Sequence, residues 1–182
     1  MNVTTIDARG NWDFELIAAA SLGNDMFQAL KQHASKEEVG KLLNQGVKIT
    51  SETLNVALQY QNSIELIHFL IDAGAKPTHA DLMTALEKRS SVAIIELLVA
   101  KNIDRLSEYA LLNALKYNNS YEVIKLLIDK RIPCSSYCLI EAQQKKLSKE
   151  IVELVERANI EYQKALDIYR EKQKVIYEVY YV

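Results

Sequence analysis

Residues 118–133 read NNSYEVIKLLIDKRIP: a short polar turn, a serine, and an apolar-rich run. Nearly the same phrase, QNSIELIHFLIDAGAKP, occupies residues 61–77. Neither copy holds an obvious catalytic residue. A phrase written twice at a distance of tens of residues points to a repeated structural unit, because each such unit can bury its apolar face only against its neighbours.

The phrase recurs five times. Ala29, Ala57, Ala85, Ala114 and Ala142 serve as anchors, spaced by 28, 28, 29 and 28 residues. Beyond each anchor, at the same distance, stands a serine: Ser35, Ser63, Ser91, Ser120 and Ser148. A serine just before an apolar-periodic run reads as a helix N-cap, its hydroxyl accepting from an unpaired first-turn amide. Glu37, Glu65, Glu122 and Glu150 follow two residues later, where the positive end of the helix dipole favours acids. Val39, Ile67, Ile95, Ile124 and Val152, with Leu42, Leu70, Leu98, Leu127 and Val155, then form a helical core stripe. Gly46, Gly74, Asn102, Arg131 and Asn159, each followed by an apolar residue, read as helix ends with a left-handed C′ residue. Arg131 departs from the Gly/Asn pattern and predicts an ending of different or strained shape.

A first helix recurs as well. Thr50, Thr78, Ser107 and Ser135 are acceptable N-caps ahead of Leu54, Leu82, Leu111 and Leu139, with Leu58, Leu86 and Leu115 on the same face. Each unit thus reads as helix, tight turn, helix, and the predicted fold is all-α, a helical-repeat solenoid.

ALQYQNSIELIHFLIDAGAKP and ALKYNNSYEVIKLLIDKRIP resemble the ankyrin-repeat family, whose units read as Ala-Ala, a polar turn, and a Glu-Val-Val-Lys-Leu-Leu-Leu type second helix ending in Gly-Ala. AAASLGNDMFQAL at residues 18–30 is similar to the same theme, and the resemblance covers most of residues 13–160. Ankyrin units usually run about 33 residues and open on Thr-Pro-Leu-His. Here the units are shorter and the nearest match is ETLNVA, so the family's projecting hairpin fingers are expected to be reduced. Other helical solenoids stay open as alternatives, with TPR units of about 34 residues and HEAT units of about 40. The resemblance implies a protein-binding role: adaptor, enzyme inhibitor, or an effector docking on a host protein.

Three segments follow: a flexible N-terminus at 1–11, a repeat domain at 12–160, and a C-terminal amphipathic helix at 161–182. Residues 12–22, with Asp13 as cap and Trp12 stapling onto Ile17, are either a capping helix or the first helix of a displaced unit. The last segment keeps Tyr162, Leu166, Tyr169, Ile176 and Tyr180 on one face, as a cap or as an interface for a partner or a homodimer. VIYEVYYV at its end also reads as a strand.

The charge of −2, with both signs interspersed, gives no basic footprint for nucleic acid or an anionic membrane. No apolar stretch reaches the roughly twenty residues a membrane span needs, and Asp7, Asp13 and Glu15 break any secretory leader. A cytoplasmic location, the chain's own or a host's, is expected. His33, His68 and His79 fall at unrelated repeat positions, and Cys134 and Cys138 have no His or further Cys beside them in sequence, so no metal or cofactor is expected. Phosphate loops and hydrolase or protease motifs are missing, and the scattered acids single out no general acid/base pair, which argues against an enzyme. Asn118-Asn119-Ser120 matches the glycosylation pattern, but Ser120 is better explained as a cap.

What remains is the concave face of stacked first helices. Projection places there Glu52, Val56 and Tyr60; Thr84 and Lys88; Tyr109, Asn113 and Tyr117; and Tyr137, Glu141 and Lys145. Tyr60 and Tyr117 are equivalent, as are Tyr109 and Tyr137. Tyrosines beside mixed charges suit a protein-binding surface, and they equally suit rings packed between helices with hydroxyls in water. Tyr169 and Tyr180 are the corresponding candidates on the C-terminal helix. Two other classes stay open: an enzyme or regulator with a small-molecule site between the last repeat and that helix, and a self-associating structural unit.

Overall fold

The computed structural model describes the backbone of residues 23–102 and 106–181 and the side chains of 23–101 and 106–174. The expectations for residues 1–22, including the Trp12 staple, lie outside the described residues. Among the described residues the chain is all-helical, with ten helices and no strand. It divides into two compact units, Met1–Asn102 and Ile103–Val182.

The first unit holds α1 (Asn24–Lys31), α2 (Lys36–Asn44), α3 (Thr53–Gln59), α4 (Ile64–Asp72), α5 (His79–Glu87) and α6 (Val92–Asn102). Consecutive helices pair as α1/α2, α3/α4 and α5/α6. The first helices also pack side by side, α3 against both α1 and α5, and the second helices do the same, α4 against both α2 and α6. The second unit holds α7 (Glu108–Lys116), α8 (Tyr121–Asp129), α9 (Ser136–Gln144) and α10 (Lys149–Tyr181). Here α7 pairs with α8 and α9 with α10, while α7 packs on α9 and α8 on α10.

The five serines start the five second helices. Each hydroxyl accepts from the amide three residues on: Glu38, Leu66, Ile94, Val123 and Ile151, at 3.3–3.4 Å. In the first copy Glu38 reaches back to the Ser35 amide at 2.7 Å, completing a capping box. Ser120→Ala is expected to cost about 1 kcal/mol of the second unit's stability, checked by urea unfolding followed by helical ellipticity. A cost near zero would mean that water replaces the cap at no loss.

The core is the repeated stripe. Val39, Ile67, Ile95 and Ile124 are fully buried, as are Leu70, Leu98, Leu127 and Val155. The first helices contribute Leu54, Leu82 and Leu111, and four of the anchors, Ala57, Ala85, Ala114 and Ala142, are buried with them.

Helix ends bring one strained closure, as expected at Arg131, and one correction. Arg131 takes φ 58° and makes the same bonds as its glycine counterparts, its amide to Ile128 O and the Ile132 amide to Leu127 O. Gly74 does this at φ 111° with Ile71 O and Leu70 O. The ending has the same shape as its glycine counterpart, held by a residue that carries a left-handed strain of about 1–2 kcal/mol. Asn159, by contrast, ends nothing. Its Nδ2 donates to Cys134 O at 2.9 Å, and α10 runs through it for 33 residues. No Gly or Pro follows to stop the helix, and Ile160 is exposed instead of folding back. The boundary drawn at 160/161 is therefore no break in structure, and residues 175–181 are helix and not strand. Propagation from an established helix outweighs the modest strand preference of Val, Ile and Tyr.

A feature that the sequence reading missed lies at the turn inside each hairpin. His33, Gln61, Arg89, Asn118 and Lys146, equivalent in all five copies, have φ between 52° and 57°. The next residue's amide then bonds the anchor carbonyl, as in Asn62 N to Ala57 O at 3.0 Å and Asn119 N to Ala114 O at 2.9 Å. These are Schellman closures made without glycine.

Candidate functional site

Each sequence-derived candidate sits on a first helix or on α10. In the first unit the projection fails for Val56, which is fully buried. It lies three residues after Thr53, itself buried, and the apolar stripe of this seven-residue helix is wider than the spacing of its leucines implied. Tyr60 is half-buried: its ring meets Phe27 edge-on, centroids 6.0 Å apart, with the Lys31 ammonium near both rings. Lys88, the residue that closes α5, is partly buried, and its Nζ lies 3.9 Å from Glu87 Oε1. The first unit thus uses its tyrosine as packing between α1 and α3.

The second unit differs. Tyr109 near the start of α7 and Tyr137 at the equivalent place on α9 are each 69% exposed, and the two helices pack together. Ile140, one turn beyond Tyr137, is 46% exposed and extends the patch. Asn113 donates from Nδ2 to Tyr109 O at 2.8 Å, fixing its amide on the same face. Tyr117 at the end of α7 is half-buried beneath the Lys116 ammonium, 5.1 Å from its ring centroid. On α10, Ile168 and Tyr169 are exposed, as is every described side chain from 167 to 174. The side chain of Tyr180 lies outside the described residues. Ile140 was not among the candidates; its place three residues after Tyr137 was the available signal.

The expected N-caps of the first helices hold in part. Thr78 caps α5 with a capping box to Asp81, and Ser135 caps α9 by accepting from the Tyr137 amide at 3.2 Å. The Thr50 hydroxyl accepts from the Glu52 amide, one turn before α3 begins at Thr53. Ser107 makes no such bond from its side chain.

Asp81, which the sequence reading passed over, is the most unusual polar group of the first unit. One carboxyl oxygen accepts from both the amide and the hydroxyl of Thr78 at 2.7 Å, and the other is buried with no partner. Burial raises its pKa above the ordinary 3.8, against the lowering effect of the Thr78 hydrogen bonds and of the nearby Asn55 amide. Since the folded state holds this proton more tightly than the unfolded chain, the group's contribution is fully present below the unfolded pKa. It is lost as pH rises through the raised folded value. Asp81→Asn is therefore expected to gain stability relative to the native protein as pH rises from about 3 to about 7, read as a difference in melting temperature. A difference that does not change with pH would refute this. The exposed Glu38, whose pKa is lowered chiefly by the Ser35 amide, acts in the opposite sense and cancels in the comparison. Thr53, the residue matching Asp81 in the preceding hairpin, plays the same part with a neutral hydroxyl that accepts from the Thr50 amide at 2.9 Å.

Grooves of two kinds open on the surface. One of about 530 Å³ lies along α1 and α2, lined by Gln28, His33, Glu38 and Lys41 among others. The other, about 340 Å³, lies between α8 and residues 154–161 of α10, and only Glu161 of its lining belongs to the segment 161–182 at which the small-molecule alternative places its site. Tyr121, Lys125, Asp129, Arg157 and Glu161 line it, and Lys125 is already paired with Asp129. Among the described residues no group of three or more His, Cys, Asp or Glu side chains is arranged to hold a metal ion, and no helix is long and apolar enough to cross a membrane. No family model matches the chain, and no curated protein or solved structure is significantly similar to it.

Proposed function

We propose that the chain is a non-enzymatic protein-interaction module built of short ankyrin-like repeats, a solenoid whose first helices present the binding face. The observation that carries this reading is the pair of exposed rings at equivalent positions on adjacent helices, Tyr109 and Tyr137, extended by Ile140. Large aromatic side chains held on rigid helices with most of their surface in water are the residues that dominate protein interfaces. The hairpin pairing within each unit supports the repeat reading. A cytosolic setting, in the producing cell or in a host, fits this role.

The test compares the native protein with Tyr109→Ala/Tyr137→Ala in capture from cytosolic extract, followed by affinity measurement with the purified partner. Because both rings are exposed, the double variant should keep its stability within about 0.5 kcal/mol. Each lost anchor of at least about 2 kcal/mol weakens the complex roughly 30-fold. Equal retention of the partner by the variant would move the binding face to Ile168 and Tyr169 of α10. Capture of nothing by either protein would count against the module and favour self-association or the α8/α10 groove.

A further inference from the structure

The protein-binding reading leaves one piece of chemical equipment unused, in the unit Ile103–Val182. Cys134 and Cys138 are free and buried. Cys134 Sγ donates to Val155 O of α10 at 3.6 Å. Cys138 Sγ donates at 3.6 Å to Glu108 Oε1 of α7, the oxygen that also accepts from the Ser135 hydroxyl. The two residues bracket the N-cap of α9: Cys134 precedes Ser135, and Cys138 sits in the first helical turn. Four residues apart across that cap, the two thiols lie close enough to perturb one another. The neighbouring Cys138 thiol holds the Cys134 thiol below its ordinary range, and the same proximity, with burial, pushes Cys138 above it. The pair is therefore asymmetric, with one sulfur more readily ionised and the other protonated beside a carboxylate.

We propose that Cys134 and Cys138 form a reversible dithiol–disulfide pair in the folded protein, closed by exchange with a low-molecular-weight disulfide of the glutathione type. The Cys134 thiolate attacks one sulfur of that disulfide and displaces the first thiolate, leaving a mixed disulfide. Cys138, giving its proton to Glu108 Oε1, attacks the Cys134 sulfur and displaces the second. Two electrons and two protons pass from the protein to the reagent, which leaves as two thiols. Closure removes both sulfur-borne hydrogens, so Val155 O and Glu108 Oε1 lose their donors. Those two contacts tie the start of α9 to α10 and to α7, and oxidation is therefore felt on both neighbours. Because both thiols are buried, reaction proceeds through local opening of the first turn of α9, and the equilibrium is the proper readout.

The experiment equilibrates the full chain with oxidised glutathione, quenches in acid, alkylates the remaining thiols and weighs the peptide containing both cysteines. The expected result is complete loss of both alkylatable thiols, a peptide lighter by two hydrogens with no adduct, and reversal by dithiothreitol. Cys138→Ala should instead stop at a glutathione adduct on Cys134. Amide exchange in α7 and around Val155 should change on oxidation of the native chain and not of Cys134→Ser. Two alkylatable thiols at equilibrium, a persistent mixed disulfide in the native chain, or disulfides formed only between molecules would each overturn the proposal.

Discussion

Replacing Ile124 by Ala is expected to destabilise the second unit by about 2–5 kcal/mol. Ile124 is fully buried in the middle of α8, beside Val123 and Leu127, and α8 is held between α7 and α10. Removing most of its side chain loses the transfer energy of those carbons and leaves a cavity that two flanking helices cannot easily close. The loss is a large share of the about 5–15 kcal/mol that stabilises a typical domain. Ile67 holds the equivalent place on α4 in the first unit and is likewise fully buried, so Ile67→Ala should fall in the same range. Urea unfolding of the two variants, followed by far-ultraviolet circular dichroism, decides the matter. A cost below about 1 kcal/mol for either would mean that the stripe read from the repeat is not closely packed there.

The second large effect concerns the anchors. Ala57 is fully buried on α3, which packs against α1, α4 and α5 at once. Its carbonyl accepts from the Asn62 amide and from Asn62 Nδ2 at 3.1 Å, while the same Nδ2 also reaches Leu30 O of α1 at 2.9 Å. A larger side chain at this point must push apart helices that this asparagine ties together. Ala57→Leu is expected to cost about 1–3 kcal/mol, although leucine is a good helix former. Ala80→Leu, on the exposed side of α5, should stay within about 0.5 kcal/mol. If both substitutions proved neutral in thermal unfolding, the constancy of alanine at the anchors would owe nothing to close packing.

The helix starts were legible because a capping serine acts within three residues of itself. Ser35, Ser63, Ser91, Ser120 and Ser148 needed no tertiary knowledge to place. The inward stripe was legible for the same reason, helical spacing being a local property. What could not be read depended on partners far along the chain or on a backbone state with no dedicated residue. Val56 is covered from neighbouring helices, which the period of α3 alone does not reveal. Tyr60 and Tyr117 look alike in sequence to Tyr109 and Tyr137, yet Phe27 and the local lysines make half-buried packing of the first pair. Asp81 was recoverable, since Thr78 followed three residues later by an acid is a capping-box signature. The continuation of α10 past Asn159 turned on a side chain that bonds Cys134 O instead of closing the helix.

The left-handed turns carry one more implication. At five equivalent places the backbone adopts the conformation that glycine occupies most easily, and the chain supplies His, Gln, Arg, Asn and Lys, every one of them exposed. The closing bonds are made by backbone atoms alone, so the fold prescribes the conformation of this residue and leaves its side chain open. These turns are variable sockets: the chemistry displayed at each can be exchanged, one unit at a time, without rewriting the helices on either side.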